Sequence, residues 1–163
     1  MPTPTYTALA TRTLTSQAAS VTFSSIPATY RDLILVTDAT ITQASSTDGY
    51  GLRFNGDTGS NYSWVRIVGA ATATSSSGTT TYALAGVIGD VNKGLTMFQI
   101  MDYSATDKHK TIITRSSGSF GNWTQASASR WANTAAITTV LVRSDGSYNF
   151  TVGSTFSLYG IIS

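Results

Sequence analysis

Asn149-Phe-Thr-Val-Gly-Ser-Thr-Phe-Ser-Leu-Tyr-Gly-Ile-Ile162 lies one residue short of the end of the 163-residue sequence, and its reading decides the fold. Phe150, Val152, Phe156, Leu158 and Ile162 all occupy even positions. Alternation with a period of two marks a strand that turns one face to a core. The segment therefore predicts an inner strand of a sheet, whose removal should unfold the protein.

Composition extends that reading to the whole chain. Charged residues make up 11% of the sequence, well below the usual quarter or so. Ser and Thr fill the space at about 50 positions, and all eight acidic residues are Asp, with no Glu at all. Glu favours helices, Asp favours turns and Thr favours strands. With 14 Gly alongside, the composition predicts an all-β protein. A chain of this length buries an adequate core as a single domain, so residues 1–163 are read as one unit, with 1–14 as an N-terminal arm or edge strand.

Strand-like segments recur every ten to fifteen residues with turn chemistry between them. Tyr6, Ala8, Ala10, Arg12 and Leu14 alternate with Thr; Val21 and Phe23 follow, and Ile26-Pro27 ends that segment. Arg31 to Ile41 reads as a long strand. Tyr50, Leu52 and Phe54 form another, closed by Asn55-Gly56, a strong hairpin signal, and Asn61 to Val68 returns from it. Residues 70–81, nearly all Ser, Thr, Ala and Gly, read as a surface loop or a mobile edge. Tyr82 to Ile88, Leu95 to Tyr103, Thr111 to Arg115, a short segment around Trp131, and Ile137 to Arg143 complete the count, with Ser144-Asp145-Gly146-Ser147 turning into the last segment. About ten strands and no helix predict an antiparallel β-sandwich of jelly-roll type, with a closed barrel as the alternative.

Few residues invite chemistry. The single histidine, His109, sits in Thr-Asp-Lys-His-Lys and reads as part of a solvated connection. Asp57-Thr-Gly-Ser60 matches the short signature of aspartic proteases, but it follows a tight turn and occurs once, whereas that chemistry needs two aspartates sharing a proton. No Cys is present, so neither disulfides nor thiolate metal sites arise. No metal, cofactor or catalytic residue is expected. A net charge of +2, with scattered basic residues and only Lys108-His109-Lys110 clustered, argues against a nucleic-acid partner. No apolar run suits a membrane span or a secretory leader. Three Asn-X-Ser/Thr sequons, at Asn61, Asn122 and Asn149, are about what chance gives in so hydroxyl-rich a chain. Among the aromatics, Trp64 and Trp131 read as core. Trp123 and Phe120, in a Gly- and Ser-rich loop, and Tyr6, near the N-terminus, are the candidate interface residues, since Tyr and Trp supply large, stiff contact area.

Three stretches also carry a likeness: Ser20-Val-Thr-Phe-Ser-Ser-Ile-Pro-Ala-Thr-Tyr-Arg-Asp-Leu33, Leu52-Arg-Phe-Asn-Gly-Asp-Thr-Gly-Ser-Asn-Tyr-Ser-Trp64 and Gly153-Ser-Thr-Phe-Ser-Leu-Tyr-Gly-Ile161. In their order, the sequence resembles virion structural proteins of tailed bacteriophages, cyanophages included. The resemblance implies a non-enzymatic β-sandwich on the virion. Its leading expectation is a capsid decoration, or cement, protein that binds the major capsid protein and oligomerises as a trimer. The alternative is a receptor- or glycan-binding module of a tail fibre or baseplate.

Overall fold

The computed structural model describes residues 5–42, 47–69, 72–89, 93–118, 123–146 and 148–162. Among these, twelve strands are present and no helix: β1 (Tyr6–Thr13), β2 (Ser20–Phe23), β3 (Asp32–Ala39), β4 (Thr47–Phe54), β5 (Tyr62–Gly69), β6 (Thr74–Thr80), β7 (Ala83–Gly89), β8 (Gly94–Met101), β9 (Lys110–Ser117), β10 (Thr124–Trp131), β11 (Val140–Ser144) and β12 (Thr155–Ile161). They form an eight-stranded sheet, in the order β1-β12-β3-β8-β9-β10-β5-β6, and a four-stranded sheet, β2-β11-β4-β7. Every pairing is antiparallel, and the fold is an all-β sandwich.

The C-terminal segment behaves as its alternation requires, over a shorter span than expected. β12 lies inside the large sheet between β1 and β3, with Phe156 and Leu158 buried. Phe150 is buried too, in an isolated bridge to Ala18 and Ile41, but Val152 and Ile162 are exposed. Val152 falls in the turn that redirects the chain through Gly153, whose φ is +81°, so its even position carries no inward direction. β1 departs from its expected alternation for another reason. Register with β12 slips between Ala8 and Ala10, a bulge in which Leu9 is the extra residue. Leu9 and Ala10 therefore both pack against the core.

Two aromatic groups organise that core. Tyr50 meets Phe98 and Phe150 edge-on, with centroids 6.0 and 6.2 Å apart, and Phe150 meets Phe156 at 5.1 Å. Phe54, Tyr62 and Trp131 form the second group, at 5.5 to 6.3 Å. Edge-on and tilted contacts at these distances suit the ring quadrupoles and add to burial.

Several expected connections are corrected. Asn55-Gly56 makes the tight turn, with both φ values positive and Asp57 N donating to Phe54 O at 2.9 Å. It does not make a hairpin, because β4 and β5 belong to different sheets. Asn55 instead clamps a corner: its Oδ1 accepts from Thr138 N and Thr139 N, and its Nδ2 donates to Ala136 O. Of the two expectations for residues 70–81, a surface loop or an edge, the structure has the edge: Thr74–Thr80 form the edge strand β6. β10 is a full strand where only a short segment around Trp131 was expected. Its inward residues before Trp131 are Gln125, Ser127 and Ser129, which carry no hydrophobic signal. The polar lining is partly satisfied by the strand above it: Leu84 O accepts from Thr114 Oγ1 at 3.4 Å and from Ser127 Oγ at 3.3 Å.

β4 and β7 meet unusually closely where their register slips beside Gly51. A Cβ at Gly51 would stand 2.3 Å from the Ala83 carbonyl oxygen and 2.3 Å from the Tyr82 ring. Gly51→Ala is therefore expected to cost about 1–3 kcal/mol, the range for overpacking, measured by urea unfolding. A loss under about 0.5 kcal/mol would show that β7 moves aside freely.

Candidate functional site

The outer face of the large sheet is built from strands that are apolar on both sides. Leu33-Ile-Leu-Val36, Val65-Arg-Ile-Val68 and Ile112-Ile113 place one apolar set in the core and the other outside. Cross-strand register lines up the outward set. One row runs Tyr159, Ile34, Gln99, Ile113, Ala128, Val65 across β12, β3, β8, β9, β10 and β5. The next runs Ser157, Val36, Met97, Arg115, Ala126, Ile67. Arg115 is the one charged side chain in the two rows.

Val65, Ile67 and Met97, with Leu95 in the adjoining row, are 50%, 61%, 44% and 53% exposed. Two shallow depressions mark the face. One, of about 270 Å³, lies among Val65, Ile67, Ile113, Ala126 and Ala128. The other, of about 250 Å³, lies among Tyr6, Ile34, Val36, Met97 and Tyr159. Strand spacing gives the band a width of roughly 24 Å and an area on the order of 300–400 Å², the size at which a surface patch on a single chain is often functional.

At one end the large sheet outruns the small one. β7, the last strand of the small sheet, lies against β8, β9 and β10 and reaches β5, while β6 is exposed along most of its length. The β6 edge of the β5–β6 hairpin thus overhangs the sandwich. On its inner side Trp64 lies across Gly78, so that a Cβ there would come within 3.0 Å of the ring. The Arg66 guanidinium sits 5.4 Å from the Trp64 ring centroid and donates through Nε to Ser76 Oγ at 2.9 Å. Trp64 is half-buried rather than core, a correction: it packs within the hairpin, against Gly78 and Arg66, instead of between the sheets. Trp131 is buried, as expected.

Of the candidate interface residues, Tyr6 is exposed and borders the apolar band. Trp123 is half-buried beside the β9–β10 connection, where its carbonyl accepts from Gly118 N at 2.9 Å. Phe120 lies outside the described residues. Tyr6 and Trp123 do not converge, because β1 and β10 stand five strand spacings apart, roughly 24 Å. The residues that sequence reasoning missed are Val65, Ile67, Leu95 and Met97. Their signal was the spacing of two that sets Val65 with Ile67 and Leu95 with Met97, apolar pairs on the face opposite to the buried residues of the same strands.

Of the titratable groups that invited chemistry, Lys110 and Asp57 are bound into the fold. His109 is exposed in the connection before β9. Lys110, its neighbour in the basic cluster, is buried, and its Nζ donates to Lys108 O at 2.9 Å and to Thr134 O at 3.1 Å; burial holds its pKa below the usual lysine range. Asp57 serves the corner. Its Oδ2 accepts from Trp131 Nε1 at 2.7 Å and Asn61 Nδ2 at 2.9 Å, and its Oδ1 accepts from Gly59 N at 2.8 Å. Burial works against its ionisation, but these bonds and the Arg53 charge outweigh it and leave the carboxyl below its ordinary pKa. A carboxylate held ionised in this way is unlike one that shares a proton with a partner. Among the described residues, no cluster suited to a metal ion occurs, and no helix is long and apolar enough to cross a membrane.

Comparison of the chain with protein-family models, with curated proteins and with solved structures yields no match.

Proposed function

We propose that this chain is a virion structural protein, a decoration protein that cements a phage capsid by laying the outer face of its large sheet on the major capsid protein. The observation that carries the reading is the apolar band from Tyr159 to Val65, nearly free of charge and continuous with the β5–β6 hairpin. An interface of this composition buries few ions, and so avoids their desolvation cost. The β6 edge supports self-association: it holds only Ser, Thr and Gly, without the charges or Pro that ordinarily protect an open edge. Joining of copies there, as a trimer, would cover it.

The strand order suits the reading. Without the hairpins β5–β6 and β9–β10, the sheets are β1-β12-β3-β8 and β2-β11-β4-β7. The chain then passes between them as in a jelly roll, a fold common in capsid domains. The likeness to tailed-phage proteins adds its three motifs, which cover β2 to β3, the corner from β4 to β5, and β12.

The test has two parts. Analytical ultracentrifugation of the purified protein should show an oligomer, and co-sedimentation with tailed-phage capsids stripped of their decoration protein should show binding. Ile67→Lys combined with Met97→Lys should weaken capsid binding at least tenfold while leaving thermal unfolding within a few degrees, since both side chains are exposed. A monomer that fails to bind such capsids would sink the proposal.

A further inference from the structure

On the opposite side of the molecule, the outer face of the small sheet has a different chemistry. β11 pairs with β4 so that Leu141 faces Arg53 and Arg143 faces Gly51. Arg53 and Arg143 therefore project from the same face as diagonal neighbours, with Cα atoms roughly 7–8 Å apart. They border a cavity of about 280 Å³ whose wall includes Leu141, Tyr148, Ser20 and Ala19. This volume exceeds what a sulfate or acetate ion needs and falls just below that of drug-sized sites.

Both guanidiniums are fixed in advance. Arg53 donates through Nε to Thr81 O and through Nη2 to Thr81 Oγ1, each at 3.0 Å. Arg143 lies over the Tyr82 ring at 5.6 Å, and that ring is itself pressed across Gly51. The acidic residue at the rim, Asp145, pairs loosely with Arg143: Nη1 and Oδ1 are 3.9 Å apart, and Nη2 donates to the Asp145 carbonyl oxygen at 3.4 Å. Two guanidiniums held on one face favour an incoming anion that can replace the loose pairing with Asp145, and an arginine offers a carboxylate parallel donors. The half-buried Tyr148 and Leu141 supply the apolar wall against which a sugar ring can lie.

We infer that the cavity between Arg53, Arg143 and Tyr148 binds an acidic saccharide, its carboxylate held by the two arginines and its ring against Tyr148. The site is independent of the assembly face and does not rest on the capsid reading. The test is calorimetric titration of the full chain, at low ionic strength, with D-glucuronate, N-acetylneuraminate, glucose and sodium sulfate in turn. At least one of the two acidic sugars should bind tenfold or more tightly than glucose and than sulfate. Arg143→Gln and Arg53→Gln should each weaken that binding about tenfold, and Tyr148→Ala should weaken sugar binding while leaving sulfate binding unchanged. Thermal unfolding of each variant checks that it is folded. Should Arg53→Gln unfold the protein, Arg143→Gln decides alone, because Arg143 bonds only locally. Failure of both acidic sugars to bind, equal binding of glucose or of sulfate, or unchanged binding in Arg143→Gln would overturn the assignment.

Discussion

A chain ended at Ser154 is expected not to fold. The deletion takes β12 from between β1 and β3, so β1 loses its one partner strand and β3 loses one of two. The core loses Phe156 and Leu158, and Phe150 loses the ring that meets it at 5.1 Å. Emptying a buried Phe site costs about 3–5 kcal/mol and a Leu site about 2–5 kcal/mol. Their sum already rivals a typical net stability of about 5–15 kcal/mol, before any ladder hydrogen bond is counted. Two newly opened edges would also favour aggregation. Far-UV circular dichroism with thermal melting checks the expectation: the truncated chain should show no cooperative transition. A cooperative melt within a few degrees of the full chain would mean that β12 is dispensable and that the alternation was misread.

How far the sequence could be read depends on which residues face inward. Where they are large and apolar, as at Leu33, Leu35, Phe98, Ile100, Phe156 and Leu158, the strand was legible. Where the inner face is Gln125, Ser127 and Ser129, the strand left almost no trace, because burial there depends on carbonyls such as Leu84 O that no local pattern encodes. The bulge at Leu9 belongs to the same class, since it is set by pairing with β12, more than 140 residues away in sequence. Asn55-Gly56 announced a turn, yet not its direction: Asn55 commits the chain to a corner only through its bonds to residues 136–139. The outer apolar band of the large sheet was legible in its residues but not read. Ile34 and Val36 on β3, and Val65 and Ile67 on β5, alternate with inward residues and so point outward.

The same corner yields a prediction with a pH dependence of its own. Asp57→Ala should cost about 3–5 kcal/mol, because it removes charge-assisted bonds of about 1.5–3 kcal/mol each, with partial non-additivity. It also leaves the indole N–H of buried Trp131 without its partner. The expected fall in Tm is roughly 6–20 °C for a domain of this size. The pKa of Asp57 is lowered in the folded protein from an ordinary value of 3.8, so the unfolded chain binds a proton more readily. Stability from this group is therefore complete above about pH 5 and drains away as the pH falls through the folded pKa. Wild type and Asp57→Asn should consequently differ most near neutrality and converge in acid, with Trp131 fluorescence reporting the corner and urea unfolding the global stability. A difference that is the same at pH 7 and pH 3 would show that Asp57 acts through its shape alone. Convergence would identify Asp57-Thr-Gly as an ionised clamp that joins the chain's sheet-crossing corner to the end of β10, which gives the tripeptide a structural reason to be there.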